Sequence, residues 1–234
     1  MNRISVIIPT YQHAKTIAQC IGSLLSQTRL PDEIIVIDDG STDDTESKLS
    51  EYTDQIKYIK QSNSGAQSAR MNGFKQASGD LLLFCDADVV ARPDMLEKLE
   101  KALREHSEAS YAYASFMWGP KLFKSKEFDK DALKEMNFIH TTALIRKEDF
   151  PGFDLEVKRF QDWDLWLTML EQGHVGVFVN EVLFQIIHEG GRIGISNWLP
   201  SFIYKIPWRR IGWMPQSVKD YMDAKKVIEA KHRL

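Results

Sequence analysis

The sequence predicts an α/β domain, a mainly parallel sheet flanked by helices on both faces, followed by a short C-terminal helical appendage. Three observations predict it. Over the first hundred residues, compact β-branched runs alternate with stretches of helical spacing, the βαβαβαβ order that builds parallel sheets through crossover helices. The 234 residues suit one large domain, or one domain with an appendage. The composition, 43% hydrophobic and 27% charged, is that of a globular chain and excludes disordered and fibrous classes.

The elements follow in order. Ile4–Ile8 is a β-branched strand that Pro9 is expected to stop. Ala14–Gln27 carries Ile17, Ile21, Leu24 and Leu25 on one helical face. Glu33–Ile37 reads as a second buried strand. Ser41 or Thr42 can cap a helix from Asp43 to Tyr52, whose acidic start suits the helix dipole. Ile56–Lys60 is a short third strand, and the polar loop Gln61–Gly65 leads into a helix over Ala66–Ala77, ended by Gly79. Asp80–Cys85 is a fourth strand, and Pro93 begins a helix over Asp94–His106. The later chain is less regular. Strands are expected at Ser110–Trp118, Phe138–Ile145, Val175–Val179 and Val182–Ile187, with helices at Asp162–Glu171 and Ser217–Ala230. The charged stretch Lys121–Lys134 reads as a mobile loop with a short helix.

Charge and cysteines bound the setting. The formal net charge is −3, but residues 196–234 hold eight Lys/Arg and three Asp/Glu, so the tail carries +5 and the body −8. The uncharged runs Thr16–Thr28, Ala109–Pro120 and Ile193–Tyr204 are too short to span a membrane. The opening residues read as a strand rather than a leader. Cys20 and Cys85 both lie in apolar runs and read as reduced core residues, so the expected location is cytoplasmic.

In parallel sheets, ligands bind beyond the carboxyl ends of the strands. The first strand is followed by Pro9-Thr10-Tyr11, so the glycine-rich dinucleotide fingerprint and the P-loop are absent there. The second is followed by Asp38-Asp39-Gly40-Ser41. Its carboxylates can bond a nucleobase or ribose, or simply cap the next helix. The fourth is followed by Asp86-Ala87-Asp88. Two carboxylates ending a buried strand are costly unless paired or metal-bound, and hard oxygen donors suit Mg2+ or Mn2+ shared with substrate phosphates. Two solvated turn residues are the plainer reading.

Taken together, Ile4–Tyr11 (ISVIIPTY), Ile34–Thr42 (IIVIDDGST), Ser64–Gly73 (SGAQSARMNG), Gly79–Asp88 (GDLLLFCDAD), Thr141–Phe153 and Gln161–Leu167 (QDWDLWL) resemble glycosyltransferase family 2, over residues 1–190. The resemblance implies a GT-A (Rossmann-like) fold and an inverting, metal-dependent transfer of a sugar from a nucleotide-diphosphate donor, usually UDP-linked, to a hydroxyl acceptor. It implies that Pro9, Thr10 and Tyr11 line the base and ribose pocket, that Asp39 bonds the base, and that Asp38 supports it. It implies further that Arg70 holds the nucleotide and the acidic loop, and that Asp86-Ala87-Asp88 is a DXD motif. In that motif Asp86 reaches the ribose or metal, and Asp88 binds the metal. Asp162 becomes the candidate general base, beginning a helix whose apolar face holds Leu165, Trp166, Met169 and Leu170. Trp163 is either an acceptor platform or a packing residue. His140 is a candidate acceptor contact, and His188 a candidate ligand of the metal or diphosphate, with Arg192 closing over the phosphates. Asp164 points to another helix face and is secondary. Two residues depart from the family pattern: Met71 stands where Asn is common, and Gln161 where Glu is common.

The expected domains are therefore a GT-A catalytic domain over 1–195 and an aromatic, basic appendage over 196–234. In the appendage Trp198, Phe202, Tyr204, Trp208 and Trp213 interleave with Lys205, Arg209 and Arg210. That mixture fits peripheral contact with an anionic membrane surface, packing onto the body, or packing on a second copy in a homodimer. The expected partners are the nucleotide-sugar donor and a glycan or lipid-linked glycan acceptor, in surface glycan or glycolipid assembly. The acidic body argues against nucleic acid. Two other readings stay open at this level: a non-catalytic nucleotide-sugar-binding protein, and a sugar-phosphate nucleotidyltransferase, whose glycine-rich first loop is missing here.

Overall fold

The computed structural model describes residues 2–187, 206, 208 and 214–234. The expectations for His188, Arg192, Trp198, Phe202, Tyr204, Lys205, Arg209, Arg210 and Trp213 lie outside these residues. The described strands form one nine-stranded sheet. Its first half is β1 (Ile4–Thr10), β2 (Glu33–Asp38), β3 (Lys57–Lys60) and β4 (Leu81–Phe84), in the order β3-β2-β1-β4 and wholly parallel. The crossovers are α1 (Ile17–Leu25), α2 (Thr45–Leu49, continued by a 3-10 turn over Ser50–Tyr52) and α3 (Ala66–Gln76).

The second half mixes directions. β5 (Val89–Ala91) and α4 (Met95–Glu105) lead to β6 (Ala109–Trp118) and its hairpin partner β7 (Lys121–Phe123). α5 (Lys130–Glu135), β8 (Leu144–Arg146), α6 (Gln161–Glu171) and β9 (Val175–Ile186) follow, and α7 (Gln216–Lys231) is the last helix. β8 joins the halves by antiparallel pairing with β4 and β6, and β6 runs parallel to β9. The antiparallel pairings are two or three residues long, so most of the ladder is parallel.

Alternation along the central strands builds two cores. Ile4, Val6, Ile8, Ile34, Val36, Leu81 and Leu83 face α1 and α4, while Ile7, Ile35, Ile37, Leu82 and Phe84 face α3 and α6. A strand buried on both faces has no polar positions to spare, which is why these runs are continuous in the sequence. Gly73 sits where α3 crosses β1: a Cβ there would run into Ile7 Cγ2.

Several expected elements are corrected. The first strand runs through Pro9 to Thr10, because β2 continues to pair beside it after β4 has ended. Val175–Ile186 is one strand rather than two, carrying register irregularities opposite Ala114–Phe116. Of the strand expected at Phe138–Ile145, only Leu144 and Ile145 belong to β8, because Asn137 and His140 hold the preceding segment in local turns. Lys121–Lys134 is built rather than loose, contributing β7 and most of α5, which Asp129 caps through the backbone N–H groups of Asp131 and Ala132. Cys20 and Cys85, distant in sequence, are buried neighbours with Sγ atoms 3.9 Å apart.

Candidate active site

The carboxyl ends of β1, β2 and β4 meet at one edge. After β1 the backbone turns through Gln12, a non-glycine residue at φ 60°. Its side chain donates to Thr42 Oγ1 and accepts from the N–H groups of Thr42 and Asp43, bolting this turn to the loop after β2. The next residue back, Tyr11, presents an exposed ring. Pro9 is buried, and Thr10 is buried with its hydroxyl unpaired. An orphaned buried hydroxyl at a strand end is what a bound polar ligand would satisfy.

The pair after β2 is structural to a degree the sequence did not reveal. Asp38 is 0% exposed, accepting from Ser41 N–H at 2.8 Å and from the Tyr58 hydroxyl at 2.9 Å. It shapes the turn from a buried position, a structural role beside the nucleotide contact expected of it. Asp39 accepts from Gln61 Nε2 and from the N–H groups of Ser64 and Gly65, all at 2.8 Å. It ties the 61–65 loop to the strand end. A carboxylate has about four acceptor sites, so one remains open.

The pair after β4 is half-buried. Arg70, on α3, donates to Asp86 Oδ1 at 2.6 Å. Burial alone would raise the Asp86 carboxyl, but Arg70, aided by His140 and His13, holds it below the usual carboxylate range. For Asp88 the balance falls the other way: burial first, and then the Asp86 charge, push it up to about 7 against the weaker pull of its own backbone N–H and of Arg70. Two crowded carboxylates, one of them resisting ionisation, fit a divalent cation, which would relieve both effects. Among the described residues no group of three or more His, Cys, Asp or Glu could hold a metal. Hard carboxylate oxygens such as those of Asp86 and Asp88 suit Mg2+ or Mn2+. Ala87, between them, is buried and contributes packing.

Arg70 also links this edge to α6. Its Nη1 lies 3.4 Å from Gln161 Oε1, and its guanidinium sits over the Phe153 ring. Because residue 161 is a neutral amide, the Arg70 charge is committed to Asp86. The Arg70 Nε is buried without a partner.

Asp162 is half-buried in the first turn of α6. Asn137 Nδ2 donates to its Oδ2 at 2.7 Å, and the Trp163 N–H to its Oδ1 at 2.9 Å. Burial pushes its carboxyl up to about 6, against the pull of the Trp163 and Asp162 N–H groups and of Arg70. Phe160, which precedes this helix, is left-handed at φ 59°. Unusual backbone at such a place marks a site that the surroundings over-determine.

Of the two acceptor candidates, one lies in the core. Trp163 is 2% exposed and donates its indole N–H to Leu133 O at 2.6 Å. It packs the core and offers no open face, a correction to the platform reading. His140 packs against Phe116 and Phe184 and accepts at Nδ1 from the Thr142 N–H. Burial pulls it down to about 4, with Asp86 and Arg70 near enough to act on it. It is therefore a neutral ring whose proton is on Nε2, beside Asp86. Asn137 is the residue sequence reasoning missed: its role comes from a loop conformation that no periodicity announces.

A parallel sheet with carboxylate pairs gathered at its strand ends, and a further acid opening a neighbouring helix, is the architecture of the GT-A glycosyltransferases. The match in fold is explicit. S. aureus TarS in complex with UDP-GlcNAc superposes with a TM-score of 0.69 at 21% identity, over 87% of this chain and 64% of that one. The mannosyltransferase PcManGT from Pyrobaculum calidifontis, in complex with GDP-Man and Mn2+, superposes at 0.65 and 18% identity, over 99% and 71%. The chain belongs to glycosyltransferase family 2, whose model (Glycosyl transferase family 2) matches residues 5–151. It is 30% identical over 221 residues to the Bacillus subtilis protein provisionally named teichuronic acid biosynthesis glycosyltransferase TuaG, 86% of this chain and 87% of that one. It is 39% identical over 101 residues to an uncharacterized glycosyltransferase of Nostoc sp., covering 42% of this chain but only 31% of the relative's length.

Proposed function

We propose that the chain moves a sugar from a nucleotide-diphosphate donor, UDP-linked in our reading, to a hydroxyl of a glycan or lipid-linked glycan, inverting the anomeric carbon. The observation that carries this is Asp162: a carboxyl aimed by Asn137, raised to about 6 by burial, and connected through Gln161 and Arg70 to the Asp86 edge.

Tyr11, Thr10 and the remaining acceptor site of Asp39 contact the nucleoside, and Arg70 keeps Asp86 ionised. Asp86 and Asp88 would hold a divalent cation, Mn2+ or Mg2+, whose charge would offset that developing on the leaving diphosphate. Asp162 accepts the proton of the acceptor hydroxyl as its oxygen forms the new bond to the anomeric carbon and the bond to the diphosphate breaks. One displacement of this kind inverts the centre. A carboxyl raised to about 6 is still ionised at neutral pH, yet is a better base than an ordinary aspartate. The name of the TuaG relative supports a setting in surface glycan assembly.

The test is product stereochemistry. With an α-linked donor from a panel of UDP- and GDP-sugars, proton NMR of the first product should show the β configuration. An α product would refute the single displacement.

A further inference from the structure

The last helix lies along α6. On α7, Tyr221, Lys225 and Ile228 fall on one face, and His232 just beyond continues it, at spacings of four, three and four. Tyr221 meets the ring of Phe160 at 5.2 Å between centroids, the Lys225 ammonium lies 6.0 Å from the Trp163 ring, and Ile228 is fully buried in the second core. His232 is 7% exposed. Its Nε2 is 2.8 Å from Asp164 Oδ1 and its Nδ1 is 2.9 Å from Glu171 Oε1. Beside it, Lys231 Nζ is 2.7 Å from both Asp164 Oδ1 and Asp154 Oδ2. The charged groups around the ring are thus Asp164 and Glu171 from α6, Lys231 from its own helix, and Asp154 from the loop before α6.

Each ring nitrogen of His232 thus meets its own carboxylate, Asp164 at Nε2 and Glu171 at Nδ1. These partners stand seven residues apart, two turns along the same face of α6. One rigid ring bonded to both resists rotation and sliding of that helix. Asp164 is two residues from Asp162, and its N–H closes the first turn onto Phe160 O at 2.9 Å. The left-handed Phe160, at the same turn, is packed by Tyr221 and Trp163.

We propose that His232 is a positioning residue for the transfer, acting through Asp164 and Glu171 to hold Asp162 against the acceptor. The inference rests on Asp162 being the base. Transfer is measured on the full chain for His232→Ala in the wild-type and Asp162→Asn backgrounds, with the UDP- or GDP-sugar of the panel that reacts fastest. Misplacement of a reacting group predicts a fall in kcat on the order of 10- to 100-fold, with donor KM little changed. In the Asp162→Asn background the same substitution should add no further loss, and His232→Arg, which offers several N–H donors to both carboxylates, should recover most of the rate. Equal losses in both backgrounds would show a merely structural role and overturn the proposal. Asp162→Asn leaving kcat unchanged would overturn the base reading itself, a different signature. Should His232→Ala fail to fold, Glu171→Gln at the solvent edge of the cluster should give a smaller loss with the same non-additivity.

Discussion

At the scale of the residue, the site is a set of carboxylates made unequal by their neighbours. Asp86 is held down by Arg70, Asp88 is pushed up to about 7, and Asp162 is pushed up to about 6. Only the ionised form of Asp162 can take a proton, so kcat should rise with pH through about 6 and then level. Asn137 donates to the ionised form, and removing that donor disfavours it. Asn137→Ala should therefore move the acid limb to higher pH and lower kcat at pH 6 by about tenfold; a superimposable pH profile would show that Asn137 does not act on the base. The sequence pointed to Asp86, Asp88 and Asp162 because acids just after a buried strand or at a helix start are themselves a signal. It concealed what those residues bond. The bonds to Asp38 from Ser41 and Tyr58, and the bond from Asn137 to Asp162, depend on chain segments that meet only in the fold.

At the scale of the element, what was legible was what is buried on both sides. The four parallel strands and their helices read directly from continuous apolar runs and helical spacing. β5 and β7, three residues each, carry too little pattern to be read, and exist because β9 and β6 supply their partners. β9 stays one strand because β6 pairs on both sides of Asn180 and Glu181, which the register skips between Val179 and Val182. The contact of α3 with β1 is a point of minimum tolerance. Gly73→Ala puts a methyl into Ile7, and overpacking of this kind costs about 1–3 kcal/mol. A clear drop in melting temperature is expected, whereas an unchanged one would mean that α3 can shift away from the sheet at little cost. Arg70 is on this same helix, so nucleotide affinity should fall together with stability.

At the scale of the whole molecule, the acidic body and basic tail take on distinct meanings. Part of the body's negative charge is the carboxylate set that a divalent cation would complete. Chelation with EDTA should abolish transfer and the thermal stabilisation given by a nucleotide diphosphate, and Mn2+ or Mg2+ should restore both; transfer that persists in EDTA would remove the metal from the account. The tail was expected to be an appendage with three open uses. Its last helix packs onto the body through Ile228, Lys231 and His232, which is the use that burial of an apolar and charged face favours. Among the described residues no helix is long and apolar enough to cross a membrane. The pairing of Asp164 with His232 spans 68 residues, and no local pattern links them. All of these features converge on one carboxylate, so the most direct measurement is the rate of sugar transfer by Asp162→Asn beside its affinity for the nucleotide diphosphate with Mn2+. The account predicts a loss in kcat on the order of 100-fold or more with nucleotide affinity intact; transfer at the wild-type rate would contradict it.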